Sequence, residues 1–199
     1  MKVALLDYGA GNLHSLAKAL ELGGAEVQAT RDWDVALGAD ALVLPGVGGF
    51  SAAAEALPED RERVRAALAG GLPCLGICLG MQLFFDASDE GEGAGIGFIP
   101  GRVRWLDAPV VPHMGWNDVE DAGDPLFAGL DGGLPAYYAH SYRCDPQDGS
   151  AVIGWTEYGG ERIAAAVRRE RTWGVQFHPE KSSRPGLRLL ANFLEEARR

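Results

Sequence analysis

The sequence predicts an α/β protein, an open three-layer sandwich with a mostly parallel central sheet. Through the first half of the 199 residues, short apolar runs alternate with amphipathic stretches, a pattern typical of parallel strands joined by helices. From residue 95 to residue 175, runs rich in Val, Ile, Trp and Tyr are separated by Asp, Gly and Pro. This second pattern indicates strands and hairpins that extend or flank the sheet. The length fits a single domain, residues 1–199.

The individual elements follow from the same patterns in chain order. Strands are predicted over residues 2–7, 26–29, 41–44 and 73–77. Helices are predicted over residues 13–22, 59–69 and 79–85, and the first two end at glycine pairs, as helices often do. Apolar residues recur at helical spacing near the end of the chain, so residues 185–197 should form a closing amphipathic helix.

The composition restricts the partners and the compartment. The formal net charge of −10 argues against nucleic acid as a partner, because affinity for phosphate backbones rests mainly on Lys and Arg. No stretch approaches the roughly 18 apolar residues that a membrane-spanning helix requires, so we expect a cytoplasmic protein. The cysteines, Cys74, Cys78 and Cys144, lack the spacing of a disulfide framework or a zinc pair. We expect neither a metal nor a cofactor.

Cys78 lies at the centre of a Gly-x-Cys-x-Gly pattern where a predicted strand meets a predicted helix. Glycines on both sides of the central residue permit a tight strand-to-helix turn that holds a nucleophile out of the sheet. The start of a helix also favours a thiolate over a thiol. The pattern predicts a nucleophile elbow with Cys78 as the nucleophile, whereas we interpret Cys74 and Cys144 as core residues.

A second pattern, Trp-Gly-Val-Gln-Phe-His-Pro-Glu, predicts a strand whose end presents His178 and Glu180 to one side. Pro179 favours extended backbone at His178. A histidine beside a nucleophile can take up its proton and later donate one to the leaving amine, while a carboxylate orients the imidazole. We therefore predict a catalytic triad of Cys78, His178 and Glu180.

The other histidines carry weaker signals. A single histidine near a strand end is more often a structural hydrogen-bonding residue, which is our interpretation of His14 and His113, while the role of His140 stays open. What distinguishes His178 is its coincidence with an elbow cysteine and a carboxylate two residues later.

A third pattern, Leu-Pro-Gly-Val-Gly-Gly at residues 44–49, ends a buried-looking strand with a glycine-rich loop. Acyl transfer requires hydrogen-bond donors at the developing oxyanion, and removing one typically costs about 3 kcal/mol. We predict the Leu79 amide as one donor and the amide of Gly46 or Val47 as the other. A phosphate-binding loop is the weaker alternative, because neither Gly-Lys-Ser/Thr nor a complete Gly-x-Gly-x-x-Gly is present.

Together these patterns resemble the triad, or class I, glutamine amidotransferases over essentially the whole chain. Within that family the similarity is to the ammonia-donating subunits of histidine biosynthesis. The stretches that carry it are Tyr-Gly-Ala-Gly-Asn-Leu at 8–13, Pro-Gly-Val-Gly at 45–48, Pro-His-Met-Gly-Trp-Asn at 112–117, His-Ser-Tyr at 140–142 and His-Pro-Glu-Lys-Ser at 178–182.

The resemblance implies a substrate and a mechanism. L-Glutamine would be the substrate, Cys78 would form a glutamyl thioester with release of ammonia, and His178, oriented by Glu180, would transfer the protons. It also implies that one set of residues binds the glutamine. These residues are Gly46, Val47, Gly48, Leu79, Gln82, Ser141 and Tyr142.

The resemblance further implies a partner, a (β/α)8-barrel cyclase subunit that forms a heterodimer, takes up the ammonia and activates the glutaminase. Such a barrel typically needs about 250 residues, more than this chain offers beside its own domain. The positions that match the family's interface are Asn12, Trp116, Tyr137 and Lys181.

Three alternatives stay open on the sequence. Subunits that donate ammonia to anthranilate, guanylate, carbamoyl phosphate or pyridoxal phosphate synthesis share the triad, although Pro-Gly-Val-Gly and His-Met-Gly-Trp-Asn favour the histidine pathway. A thiol hydrolase of γ-glutamyl bonds would act without a partner. A silent regulatory module would keep the fold without forming a thioester at Cys78.

Overall fold

The computed structural model describes residues 1–9, 13–121, 123–130 and 133–199. Within these ranges, a nine-stranded sheet in the order β2-β1-β3-β4-β12-β11-β10-β7-β8 stands beside a three-stranded sheet in the order β5-β6-β9. The strands are β1 Lys2–Leu6, β2 Glu26–Thr30, β3 Ala41–Leu44, β4 Cys74–Ile77, β5 Ala87–Ser88, β6 Gly101–Trp105, β7 His113–Asp121, β8 Leu134–His140, β9 Tyr142–Pro146, β10 Val152–Tyr158, β11 Glu161–Arg169 and β12 Thr172–Val175.

The central part of the large sheet is parallel, as the sequence predicts. Strands β2, β1, β3, β4 and β12 pair in parallel, and Leu44 and Val175 lie opposite Gly76 and Ile77 of β4. The carboxyl ends of β3, β4 and β12 therefore meet at one edge. In open α/β sheets, ligands bind outside this edge.

The second half of the chain extends the sheet with antiparallel strands. Strands β11, β10, β7 and β8 follow β12 in antiparallel pairs, and β9 pairs with β6 in the small sheet. These strands confirm the prediction of hairpins between residues 95 and 175. They also bring β8 and β9, which flank Ser141, towards the edge where the parallel strands end.

Helices cover both faces of the large sheet. They are α1 Leu13–Leu22, α2 Trp33–Leu37, α3 Phe50–Glu55, α4 Arg61–Ala69, α5 Leu79–Gln82 and α6 Ser183–Ala197. Apolar residues of α1 and α6 pack with Val3, Leu5 and Val43 on one face. Those of α2, α3 and α4 pack with Leu42 and Leu44 on the other face. Successive strand residues point to opposite faces, so both faces are buried and three layers result.

Several boundaries differ from the sequence prediction. Helices α2 and α3 were not predicted, because five and six residues are too few for a clear helical period. Helix α5 ends at Gln82 rather than at residue 85, since the amides of Phe84 and Phe85 bond three residues back and tighten the chain. Helix α6 begins two residues before Pro185, because amides in the first turn need no helical acceptor.

None of the helices in the described ranges has the length and hydrophobicity needed to cross a lipid bilayer.

Candidate active site

Cys78 occupies a strained turn between β4 and α5. Its backbone has φ 52° and ψ −104°, in a region that residues with a side chain rarely adopt. Its amide donates to the Val175 carbonyl at 2.7 Å, which fastens the turn to the neighbouring strand. Strain of this kind concentrates at functional sites, where the surrounding structure must hold it in place.

The glycines around Cys78 are required by close backbone contacts. A Cβ added to Gly80 would lie 1.9 Å from the Leu44 carbonyl oxygen, and one added to Gly76 would lie 2.6 Å from the Gly80 carbonyl. A Cβ on Gly46 would meet the Leu79 Cβ at 2.4 Å. The end of β3, the glycine-rich loop and the elbow are thus packed backbone against backbone, and no larger residue fits between them.

His178 and Glu180 lie behind Cys78 at the carboxyl end of β12. The Nδ1 atom of His178 is 3.0 Å from Oε1 of Glu180, and both side chains are buried. His178 has extended backbone, as predicted. The prediction of a strand that continues to Glu180 is wrong: β12 ends at Val175, and Glu180 lies in a 3-10 turn, Pro179–Lys181. The turn still directs the carboxylate to the imidazole.

The surroundings of His178 favour the imidazolium form. Burial alone would lower the pKa of His178, but the Cys78 sulfur and the Glu180 carboxylate raise it to about 9. The Nδ1 atom faces Glu180, and Nε2 has no hydrogen-bond partner in the described part of the chain. Nε2 is therefore the atom available for proton transfer beside the sulfur.

A pocket of about 210 Å³ opens above Cys78. Its lining includes six of the seven predicted glutamine-binding residues, namely Val47, Gly48, Leu79, Gln82, Ser141 and Tyr142. Gly46 does not border the pocket and instead lies beneath the elbow, against Leu79. The pocket also includes residues that sequence reasoning missed, among them Glu90, Pro112, Met114 and His140.

Glu90 links the pocket to the glycine-rich loop. Its Oε2 atom accepts a hydrogen bond from the Phe50 amide at 2.8 Å, at the first residue of α3. The loop before it turns at Gly48, whose φ of 128° favours glycine. Glu90 gave no sequence signal, because its position depends on a loop contact across 40 residues. A carboxylate at the pocket suits a ligand that carries an ammonium group.

Two buried histidines support the pocket from the side of β7. His113 Nδ1 lies 3.0 Å from His140 Nε2, and His140 Nδ1 lies 2.8 Å from the Tyr142 carbonyl oxygen. Burial lowers the pKa of both rings to about 4, so both are neutral near pH 7. The carbonyl can only accept, so His140 donates from Nδ1 and His113 donates to Nε2 of His140. The structural interpretation of His113 agrees with this arrangement.

Three of the four predicted interface residues lie together on the sheet edge next to the pocket. Trp116 of β7 is 56% exposed, and its ring is 6.1 Å from that of Tyr137 on β8. The Lys181 ammonium lies 5.8 Å from the centre of the Tyr137 ring. Met114, also exposed, connects this group to the pocket. Asn12 lies outside the described residues.

The described residues contain no group of three or more His, Cys, Asp or Glu side chains suited to a metal ion. The chemistry of the pocket is that of a thiol, an imidazole and a carboxylate.

Comparison with known proteins identifies the class. A model of the family described as "Glutamine amidotransferase class-I" matches residues 4–197. This match covers the elbow, His178, Glu180 and the whole pocket lining. The chain therefore belongs to the class-I glutamine amidotransferase family.

Within the family, the chain is similar over nearly its whole length to curated relatives that share one name. The chain is 43% identical to the imidazole glycerol phosphate synthase subunit HisH of Synechococcus elongatus, over 98% of this chain and 93% of the relative. It is 46% identical to the subunit of that name from Corynebacterium diphtheriae, over 98% of both chains. It is also 46% identical to that from Natronomonas pharaonis, over 98% of this chain and 94% of the relative.

Solved structures agree with the fold. A crystal structure described as a glutamine amidotransferase superposes with a TM-score of 0.78 at 22% identity, over 99% of both chains. A chain of the PurLQS structure from Thermotoga maritima superposes with a TM-score of 0.75 at 20% identity, over 98% of this chain and 97% of that one. The predicted α/β class and its parallel central sheet are confirmed by these neighbours.

Proposed function

We propose that this chain, residues 1–199 as one domain, is the glutaminase subunit of an imidazole glycerol phosphate synthase. The observation that carries the proposal is the strained elbow of Cys78, beside a His178–Glu180 pair joined at 3.0 Å. The shared name of relatives with 43% and 46% identity supports the choice of pathway. The protein hydrolyses L-glutamine to glutamate and ammonia.

The geometry supports a thioester mechanism. The Cys78 thiolate attacks the carboxamide carbon, and the carbonyl electron pair moves onto oxygen. The Leu79 amide, which begins α5 and so lacks a helical acceptor, is one donor to this oxyanion, and the Val47 amide is the other. The C–N bond breaks as His178 protonates the nitrogen. Water then attacks the thioester with His178 as base, and the C–S bond breaks with return of the electron pair to sulfur.

The pocket supplies contacts for the amino-acid end of glutamine. Glu90 offers a carboxylate to the α-ammonium group, and Ser141 and Gln82, which also line the pocket, offer polar side chains. The Gln82 Nε2 atom is held 3.4 Å from the Tyr142 carbonyl oxygen. Holding the charged amino-acid end of the substrate positions its carboxamide against the sulfur, and such positioning is a large part of catalysis.

The partner proposed is a (β/α)8-barrel cyclase that binds the face formed by Trp116, Tyr137 and Lys181. This face carries a Trp and a Tyr ring, the residue types in which anchors of protein interfaces are rich. Met114 is 65% exposed and lines the pocket, so a partner on this face would sit over the exit from Cys78. Ammonia would then pass to the partner without entering bulk solvent.

The proposal is tested by glutamate release from glutamine, measured for the chain alone and with the cognate cyclase carrying its nucleotide ligand. We expect stimulation of about 10²-fold or more, because partner-induced closure can complete the catalytic arrangement, and a misplacement of about 1 Å in such an arrangement can cost roughly 10²-fold. No response to the cyclase, together with strong activity of the isolated chain on several amides, would instead identify a γ-glutamyl hydrolase.

The pH profile offers a second test, at Glu180. In the wild-type chain, kcat/KM for glutamine should fall as the pH rises through about 9. The pKa of His178 is raised to about this value, so His178 keeps its proton at lower pH and loses it at higher pH. The variant Glu180→Gln removes a charge that helps to raise this pKa. The alkaline limb of its pH profile should shift to lower pH by about one unit, and kcat should fall about 10²-fold or more.

The matched control is Glu21→Gln, which neutralises an exposed carboxylate on α1. It should keep the wild-type profile. An unchanged alkaline limb in Glu180→Gln would show that Glu180 does not stabilise the protonated form of His178.

A further inference from the structure

Gln176 is a polar side chain with no solvent exposure, between the end of β12 and His178. Its Nε2 atom lies 3.5 Å from the Cys78 sulfur, within hydrogen-bonding distance for a sulfur acceptor. Its Oε1 atom lies 3.4 Å from Nε2 of Gln82 and 4.0 Å from the Cys144 sulfur. A buried amide thus contacts the nucleophile directly, and the mechanism described above does not use it.

The orientation of this amide follows from its neighbours. The Tyr142 carbonyl can only accept hydrogen bonds, so the Gln82 group 3.4 Å from it must be the NH₂ group. The second hydrogen of that NH₂ group then points at Gln176, whose facing atom must be the acceptor Oε1. The NH₂ group of Gln176 is left facing the Cys78 sulfur.

The Tyr142 carbonyl that starts this chain is itself held in place. It accepts a second hydrogen bond from His140 Nδ1 at 2.8 Å, and His140 is held by His113 at 3.0 Å. Four groups, namely Gln82, the Tyr142 carbonyl, His140 and His113, therefore fix which way the Gln176 amide points. In such a hydrogen-bond network, flipping one amide or imidazole would break several hydrogen bonds.

We propose that Gln176 is a further catalytic residue, which donates a hydrogen bond from Nε2 to the Cys78 sulfur and stabilises its thiolate. The inference rests on the proposed function. A thiolate accepts a hydrogen bond more strongly than a thiol, because a charged partner roughly doubles the strength of the bond. The bond therefore forms fully only when the sulfur carries its charge.

This role differs from that of His178. The imidazole exchanges its proton with the sulfur and with the leaving ammonia, whereas an amide keeps its protons throughout. Gln176 can therefore hold the negative charge on sulfur at two moments. The first is before attack on glutamine, and the second is when the C–S bond of the thioester breaks and the electron pair returns to sulfur.

Two variants distinguish the effect of the hydrogen-bond donor from the effect of the side chain's shape. Gln176→Leu removes the donor, and Gln176→Glu keeps the shape but places a carboxylate beside the sulfur. The control is Asn192→Leu, which removes another buried amide, one that bonds the Leu126 and Ala128 carbonyls under α6. Circular dichroism establishes that each variant is folded.

The measurement is the rate of alkylation of Cys78 by iodoacetamide as a function of pH, followed by mass spectrometry of the peptide that contains it. Burial raises the pKa of the Cys74 and Cys144 thiols, which keeps them protonated and slow to react. We expect the rate at pH 7 to fall about tenfold or more in Gln176→Leu, since a hydrogen bond to a charged group changes an equilibrium by about that factor. The alkylation rate should fall further in Gln176→Glu, and in Asn192→Leu it should equal that of the wild type.

Equal alkylation profiles in the wild type and a folded Gln176→Leu would overturn the proposal, as would a wild-type profile in Gln176→Glu. If neither variant folds, NMR spectroscopy of the wild-type chain tests the proposed hydrogen bond instead. The side-chain amide protons of Gln176 should shift with the same pH midpoint as alkylation, and pH-independent resonances would refute the bond. Iodoacetamide needs no glutamine, so this outcome is independent of whether the cyclase stimulates glutamate release.

Discussion

The variant Cys78→Ala is expected to lose glutamate release by roughly 10⁴-fold or more, because removing the nucleophile of a covalent mechanism removes most of the rate enhancement. Alanine keeps a Cβ at this position, so the backbone strain at φ 52° is unchanged and the elbow should persist. Synthesis by the heterodimer from added ammonium should continue, since the proposed cyclase reaction takes place on the partner. The two rates are measured on the same preparation of the complex.

The control for this variant is Cys74→Ala, which removes a thiol from the core four residues earlier. Cys74 is fully buried in β4 and does not border the pocket, so its replacement should leave the rate with glutamine near that of the wild type. Loss of the ammonium-dependent reaction in Cys78→Ala would contradict the division of labour between the two subunits. Retention of glutamate release would exclude Cys78 as the nucleophile.

The variant Gly80→Ala should lower the free energy of unfolding by about 3 kcal/mol or more, and it should abolish glutamate release. The reason is steric: the new methyl carbon would lie 1.9 Å from the Leu44 carbonyl oxygen, so β3 and α5 would have to move apart. Overpacking in a rigid interior typically costs about 1–3 kcal/mol, and backbone atoms yield less readily than side chains. Denaturant unfolding followed by circular dichroism measures the loss.

The matched control is Gly149→Ala, at a turn where an added Cβ meets no atom within 4 Å. Its unfolding midpoint should lie close to that of the wild type. If Gly80→Ala unfolded at the same denaturant concentration as this control, the close approach of β3 to the elbow would not exist in solution, and the steric account of the Gly-x-Cys-x-Gly pattern would be wrong.

Much of the fold was predictable from the sequence because the signals are local. The bounds of α1 and β3 agree with the prediction, since apolar periodicity and the turn glycines lie within the segments themselves. The elbow was predictable for the same reason: its strand, its glycines and its cysteine are consecutive in the chain. The offset between His178 and Glu180 was equally visible, although the backbone between them is a 3-10 turn and not a strand.

The arrangement of the complete site depends on contacts between segments that are far apart in the chain. Gln176 contacts Cys78 across 98 residues, and Glu90 holds the amide of Phe50 across 40. The pairing of His113 with His140 depends on the register of β7 and β8, which no single segment specifies. Local sequence patterns were enough to predict the fold class, the elbow and the chemical groups of the site. Which buried polar groups face the nucleophile is set by strand pairing and packing between distant segments, because a buried donor or acceptor must be satisfied by whatever the folded chain brings beside it.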